Sequence, residues 1–158
     1  MQMMRVGVLL VAALAVVAAC GQAPATAAPS ASPAATAAAQ VPEAVRSRSS
    51  LPSCGAENAT SQNGPWNETA RACFWAAYQK GQLAEFTSTR LTTEGDPITT
   101  IYRVLGPGRV EIFEDTTQDK FGVPGWTRLD CATLAALQTI GTLTDFGPDD
   151  SCTATTVG

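Results

Sequence analysis

The sequence predicts an α+β domain: an antiparallel β-meander of about four or five strands packed on one N-terminal helix, with a short second helix and two disulfides. Three features lead there. Between Leu83 and Cys131, runs rich in Thr, Val, Ile, Phe and Tyr alternate with turns rich in Gly, Pro and Asp. Ahead of them lies one stretch with apolar residues at helical spacing between start and stop signals. Cys54, Cys73, Cys131 and Cys152 form an even set spread over the same part of the chain.

The chain has 158 residues and opens with the layout of a bacterial export signal over positions 1–19. Arg5 precedes the apolar run Val6–Ala19, and small residues end it. The run falls short of the roughly 20 apolar residues that a spanning helix needs. Its ending, Val17-Ala18-Ala19-Cys20, resembles the lipobox of bacterial lipoproteins, in which a short aliphatic and two small residues precede the modified cysteine. The resemblance implies a diacylglyceryl group on Cys20, a new N-terminus there, and an extracytoplasmic domain held to a bacterial membrane. An unpaired cysteine directly after a small-residue cleavage site fits the same reading of an exported chain.

Gly21–Ala39 is almost entirely Ala, Pro, Ser, Thr and Gln, with no charge and no large apolar residue. Such a composition cannot offset the entropy of ordering, and Pro24, Pro29 and Pro33 interrupt every helical run. The reading is a disordered tether over 20–51, extended past Pro42 by a segment with Arg46 and Arg48, and one small domain over 52–158.

An exported chain sits in an oxidising compartment, so the four domain cysteines read as two disulfides. Three pairings are open, and Cys54–Cys73 with Cys131–Cys152 is preferred because each closes a short local loop. Zinc is disfavoured, since no two of these cysteines have zinc-knuckle spacing and the chain has no histidine. A redox role would need a Cys-x-x-Cys motif, which is absent.

A helix is predicted over Pro65–Lys80, with Pro65 at its first position, Glu68 in its first turn and Lys80-Gly81 at its close. Trp66, Ala70, Cys73, Phe74, Ala77 and Tyr78 make its apolar face, and Trp75 falls off that stripe. Strands follow over Glu85–Thr93, Ile98–Leu105, Arg109–Glu114 and Trp126–Asp130. Tyr102 and Val104 point opposite to Ile101, Arg103 and Leu105, while Val110 and Ile112 alternate with Glu111 and Phe113. One face is expected to meet the helix, and the Thr-rich, charged face to lie in water. The short second helix is expected over Ala132–Thr139, capped by Asp130 and ended by Gly141, with a last strand over Thr142–Phe146.

Composition excludes several functions. The formal charge of −4 comes with no basic run, so nucleic acid is not an expected partner. The absence of histidine removes the commonest general base and metal ligand. No Gly-x-Ser-x-Gly or Ser-x-x-Lys motif supplies a serine nucleophile. Asp115, Asp119 and the pair Asp149-Asp150 lack the rhythm of a calcium loop. Carboxylates remain as the one catalytic chemistry to weigh: Glu94 and Asp96 flank Gly95, Glu114 and Asp115 adjoin a turn, Asp119 follows, and Glu111 and Asp130 lie nearby in sequence. Two of them suitably spaced would serve as acid and base on a sugar. The stronger reading gives Asp96-Pro97 and Asp115-Thr116 to turn backbone groups.

The run Arg90-Leu91-Thr92-Thr93-Glu94-Gly95-Asp96-Pro97-Ile98, the stretch Asp115–Gly122 containing Asp119-Lys120-Phe121-Gly122, and then Cys131 and Cys152, are similar to a family of small bacterial lipoproteins classified only as a domain of unknown function. The likeness covers about Cys73–Cys152. It implies an exported, membrane-anchored domain with a Cys131–Cys152 bridge, and it carries over no functional residues.

The expectation is therefore a non-catalytic, monomeric, lipid-anchored domain without a cofactor. It would contact an envelope protein or glycan through a surface that includes Glu94, Asp96, Asp115, Asp119 and Trp126. A small carboxylate-dependent envelope hydrolase and a stoichiometric protein inhibitor are the alternatives.

Overall fold

A computed structural model describes residues 40–61, 64–140 and 143–158, the side chains of 137–144 excepted. The expected signal peptide, Cys20 and the tether as far as Ala39 lie outside the described residues. The elements in chain order are α1 (Glu43–Arg46), β1 (Ser53–Asn58), α2 (Glu68–Gln79), β2 (Ala84–Leu91), β3 (Pro97–Gly106), β4 (Arg109–Asp115), β5 (Trp126–Cys131), β6 (Leu134–Ile140), β7 (Leu143–Pro148) and β8 (Thr153–Thr156).

These build a mainly β molecule, which corrects the α+β antiparallel meander. Six strands form one mixed sheet in the order β1-β2-β3-β4-β5-β8, and β6 pairs with β7 in a separate two-stranded sheet. β1 runs parallel to β2, and the remaining neighbours are antiparallel. Ser53-Cys54-Gly55-Ala56-Glu57-Asn58 carries no β-branched residue, so local preference did not mark it as a strand. Tertiary contacts hold it instead. Cys54 is bonded to Cys73 of α2, and the N-cap residue Asn67 donates from Nδ2 to the carbonyl of Ala56 at 2.9 Å.

The expected second helix is also corrected. Leu134-Ala135-Ala136 favours a helix locally, yet this stretch opens β6, which pairs with β7 from Leu134↔Pro148 to Ile140↔Leu143. Leu134 and Phe146 are buried in the main core, and the Cys131–Cys152 bridge ties together the two chains flanking the hairpin. Asp130, the expected cap, sits in β5 opposite Glu111. Helix α2 begins at Glu68 rather than Pro65, because Asn67 accepts a hydrogen bond from Ala70 N and acts as the N-cap. Past its end, Gly81 has φ +60°, and a Cβ there would come 2.7 Å from Pro107 Cγ.

The alternation along the strands sorts residues onto two faces. Phe86, Tyr102, Ile112 and Leu129 are cross-strand partners, as are Ala84, Val104, Val110 and Cys131. Together with Ala70 and Phe74 of α2, Leu134 and Phe146, they form the main core. Ring centroids lie 5.1 Å apart for Phe74–Phe146 and 5.2 Å for Tyr102–Phe146. Truncating Phe74 here removes about 3–5 kcal/mol. Trp75, off the apolar stripe, stacks on Phe146 at 5.7 Å.

The second face, expected to lie in water, is partly covered. Ile101, Phe113 and Trp126 are buried with Val45 of α1, and Val157 packs against them. Segment 42–51, which the sequence assigned to the tether, thus packs on the domain. A row of charged residues crosses the same face through the register Glu85↔Arg103↔Glu111↔Asp130, with one arginine among three carboxylates. Arg103 bonds Glu85 at 3.0 Å and also pairs with Glu111. Arg48 caps one end of the row on Glu85, and Arg128 reaches Glu111 and Asp130 at the other.

Candidate functional site

Besides the charged row on the second face, polar side chains come together in a buried network under α2, in a cavity beside β7, and at the end of the sheet where the 116–125 loop meets the 92–96 turn.

In the network, Arg71 of α2 reaches Glu57 of β1 through Nε at 2.8 Å and Asp145 of β7 through Nη1 at 2.9 Å. Ser88 donates to Glu57 at 2.6 Å, and Arg90 joins Asp145 at 2.9 Å. Arg71 also lies 4.7 Å from the centroid of Trp66. Burial by itself would raise the Glu57 carboxyl, but hydrogen bonds from Arg71 and Ser88 and the Arg71 charge bring it below the ordinary glutamate value. Two cations and two carboxylates therefore meet in balance. Sequence reading missed Arg71, whose place inside the apolar stripe of α2 was the available signal.

The cavity, about 250 Å³, is lined by Arg90, Ile98, Thr100, Tyr102, Glu114, Phe146, Gly147 and Pro148. Glu114 shares a row with Ser88 and Thr100 on the face that meets α2. Burial holds its carboxyl above the ordinary glutamate value, and it makes no hydrogen bond or ion pair among the described residues. Glu114 is the one carboxylate among the described residues of this lining, whereas acid and base chemistry on a glycosidic bond requires two facing carboxyls.

At the sheet end, Asp96 is buried at 3% exposure and accepts from Lys120 Nζ at 2.6 Å and Lys120 N at 3.1 Å. Asp115 accepts from Thr117 N at 2.9 Å. Asp119 accepts from the amides of Phe121 and Gly122, both at 2.9 Å. Thr116 donates from Oγ1 to the carbonyls of Val123 and Gly125 at 2.9 and 3.1 Å. A Cβ at Gly122 would come 2.3 Å from Asp119 Oδ2, so a larger residue there would push the Asp119 side chain aside. The loop is thus fixed on itself and on the neighbouring turn, and it presents Phe121 and Val123 to solvent at 75% and 89% exposure.

The residues expected to form a contact surface divide accordingly. Glu94 is exposed on the 92–96 turn. Asp96, Asp115 and Asp119 shape the loops through the bonds just described. Trp126 is 7% exposed and belongs to the minor core beneath the loop, which removes it from the surface. Asp149, weighed for calcium, accepts from Thr133 Oγ1 and Ser151 Oγ at 2.6 Å each and closes a turn. The exposed pair Phe121 and Val123 was not selected from the sequence, because an apolar residue between Gly, Pro and Lys reads equally well as buried. Comparison of the chain with protein-family models, with curated proteins and with solved structures finds no match.

Proposed function

We propose that this chain is a lipid-anchored extracytoplasmic domain that works by surface contact rather than by turnover. The anchor is Cys20, placed after a signal peptide with a lipobox ending. The observation that carries the contact reading is the braced 116–125 loop, which holds two large apolar side chains in solvent. Exposed apolar groups on an ordered loop favour association, because little conformational freedom remains to be lost on contact. The resemblance to small bacterial lipoproteins points the same way, and its two characteristic stretches are those that build this end of the domain.

Support for the hydrolase alternative is confined to Glu114, a single carboxyl in a small cavity. The inhibitor alternative shares the loop and differs in the partner. The test of the anchored reading is intact-mass analysis of the protein taken from its own envelope. A mature chain beginning at Cys20 with a diacylglyceryl thioether is expected. An unmodified thiol at Cys20 would sink the reading.

A further inference from the structure

We infer that the end of the domain bearing Phe121 and Val123 rests on the bilayer that holds Cys20, with the 116–125 loop inserted at the headgroup level. This rests on the anchored reading above and names the partner of the same surface.

The position of the N-terminal segment is the first support. Val45 packs on Ile101, Phe113 and Trp126, and Trp126 directly follows Gly125 of the loop. Further along, Ser49 accepts from Arg103 through its carbonyl, and Arg48 pairs with Glu85. The segment therefore runs away from the loop end as it approaches β1. Gln40 precedes Val45 by five positions, a reach of at most about 17 Å. The described chain therefore begins within that distance of Val45, on the face where Val45 meets Trp126, the residue that follows the loop.

Exposure is the second support. Among the described residues the exposed large apolar side chains are Val41, Leu83, Phe121 and Val123. Val41 lies in the departing segment, and Phe121 and Val123 are on the loop. Leu83 precedes β2 at the opposite end of the sheet. An aromatic and a branched aliphatic on a fixed loop can enter the headgroup region without an ordering cost.

Two small insertions would not hold a free domain on a membrane. A chain already anchored in that bilayer presents the loop at high effective concentration, so a weak contact becomes populated. Charge fixes the lipid preference. Glu94, Asp115 and Asp119 surround the loop, while Lys120 is paired with Asp96. The contact is therefore apolar in origin and opposed by anionic headgroups.

The test uses the full lipidated chain carrying Phe121→Trp, reconstituted into phosphatidylcholine vesicles with brominated acyl chains. The unsubstituted chain, with Trp66, Trp75 and Trp126, is the reference. The inference expects the substituted chain to show a blue-shifted component and a clear extra loss of emission. That loss should shrink when phosphatidylglycerol is added at low salt and return as salt is raised. Equal quenching of the two chains, with Cys20 acylated, overturns the inference, leaves the anchored reading standing and gives the loop to a protein partner. An unacylated Cys20 overturns both.

Discussion

Asp96 and Lys120 lock two loops together: the buried carboxylate accepts from both the backbone amide and the ammonium of the same lysine, at 3.1 and 2.6 Å. The contact joins the Thr-Glu-Gly-Asp-Pro-Ile stretch to the Asp-Lys-Phe-Gly stretch, which are remote in sequence and adjacent in space. Lys120 lowers the Asp96 pKa through hydrogen bonds from its side chain and backbone, and Asp96 raises that of Lys120. The lock is therefore present at neutral pH, lost as pH falls through the depressed Asp96 value and lost again as pH rises through the elevated Lys120 value. Asp96→Asn should speed amide exchange at Phe121 and Gly122 at neutral pH while sheet amides in β3 and β4 keep their protection. Unchanged loop exchange would show that the ion pair does not fix the loop.

Glu114 offers a test with the opposite sign. Burial raises its pKa, so the folded state favours the neutral acid. Its relative stabilisation is complete below the unfolded glutamate value and is lost as pH rises through the folded one. Glu114→Gln should accordingly raise the melting temperature at pH 7 and change it little at pH 4. A lower melting temperature at pH 7 would mean that the ionised form has a favourable partner.

The buried network predicts a large effect from a single cation. Arg71→Met leaves Glu57 and Asp145 without their main partner in the interior, and removing one member of a buried ion pair costs about 3–5 kcal/mol. Urea denaturation should register that loss. Adding Glu57→Gln to Arg71→Met should recover part of it, because one uncompensated charge is then gone.

The disulfide Cys54–Cys73 spans a sequence separation of 19. A closed loop of that size removes about 3 kcal/mol of unfolded-state entropy in the chain-entropy description. Cys54→Ser with Cys73→Ser should lower stability by about that amount and speed exchange first in β1, whose local sequence does not favour a strand. Equal loosening of β4 would mean that the bridge supports the whole sheet rather than its edge.

Much of the sheet was legible. The runs that became β2 to β5 were marked by β-branched and aromatic residues between turns, and the alternation placed Tyr102, Val104, Val110 and Ile112 on the core face as found. The preferred cysteine pairing is the one present. Other features were hidden, among them the edge strand β8 and the packing of Val45 on the second face. β1 has no strand-favouring residues and forms because Arg71, Asn67 and Cys73 hold it beside β2. Leu134-Ala135-Ala136 suits a helix and becomes a strand because β7 supplies a hydrogen-bonding edge and Phe146 a core to cover. Of the expected contact residues, Asp96 and Trp126 turned inward, since a turn carboxylate can serve a distant lysine and a tryptophan at a strand start can cap a second core.

The amino-acid sequence alone determined where the strands of the central meander run and which residues share a face, because both depend on local preference and on a period of two along the chain. It also supplied the cysteines for two bridges. Only the tertiary structure decided that a parallel edge strand joins the sheet, that a helix-favouring stretch pairs as a hairpin, and that Phe121 and Val123 stand in solvent. Those outcomes depend on partners far away in sequence, whose contact energies outweigh the fractions of a kcal/mol by which local preferences differ.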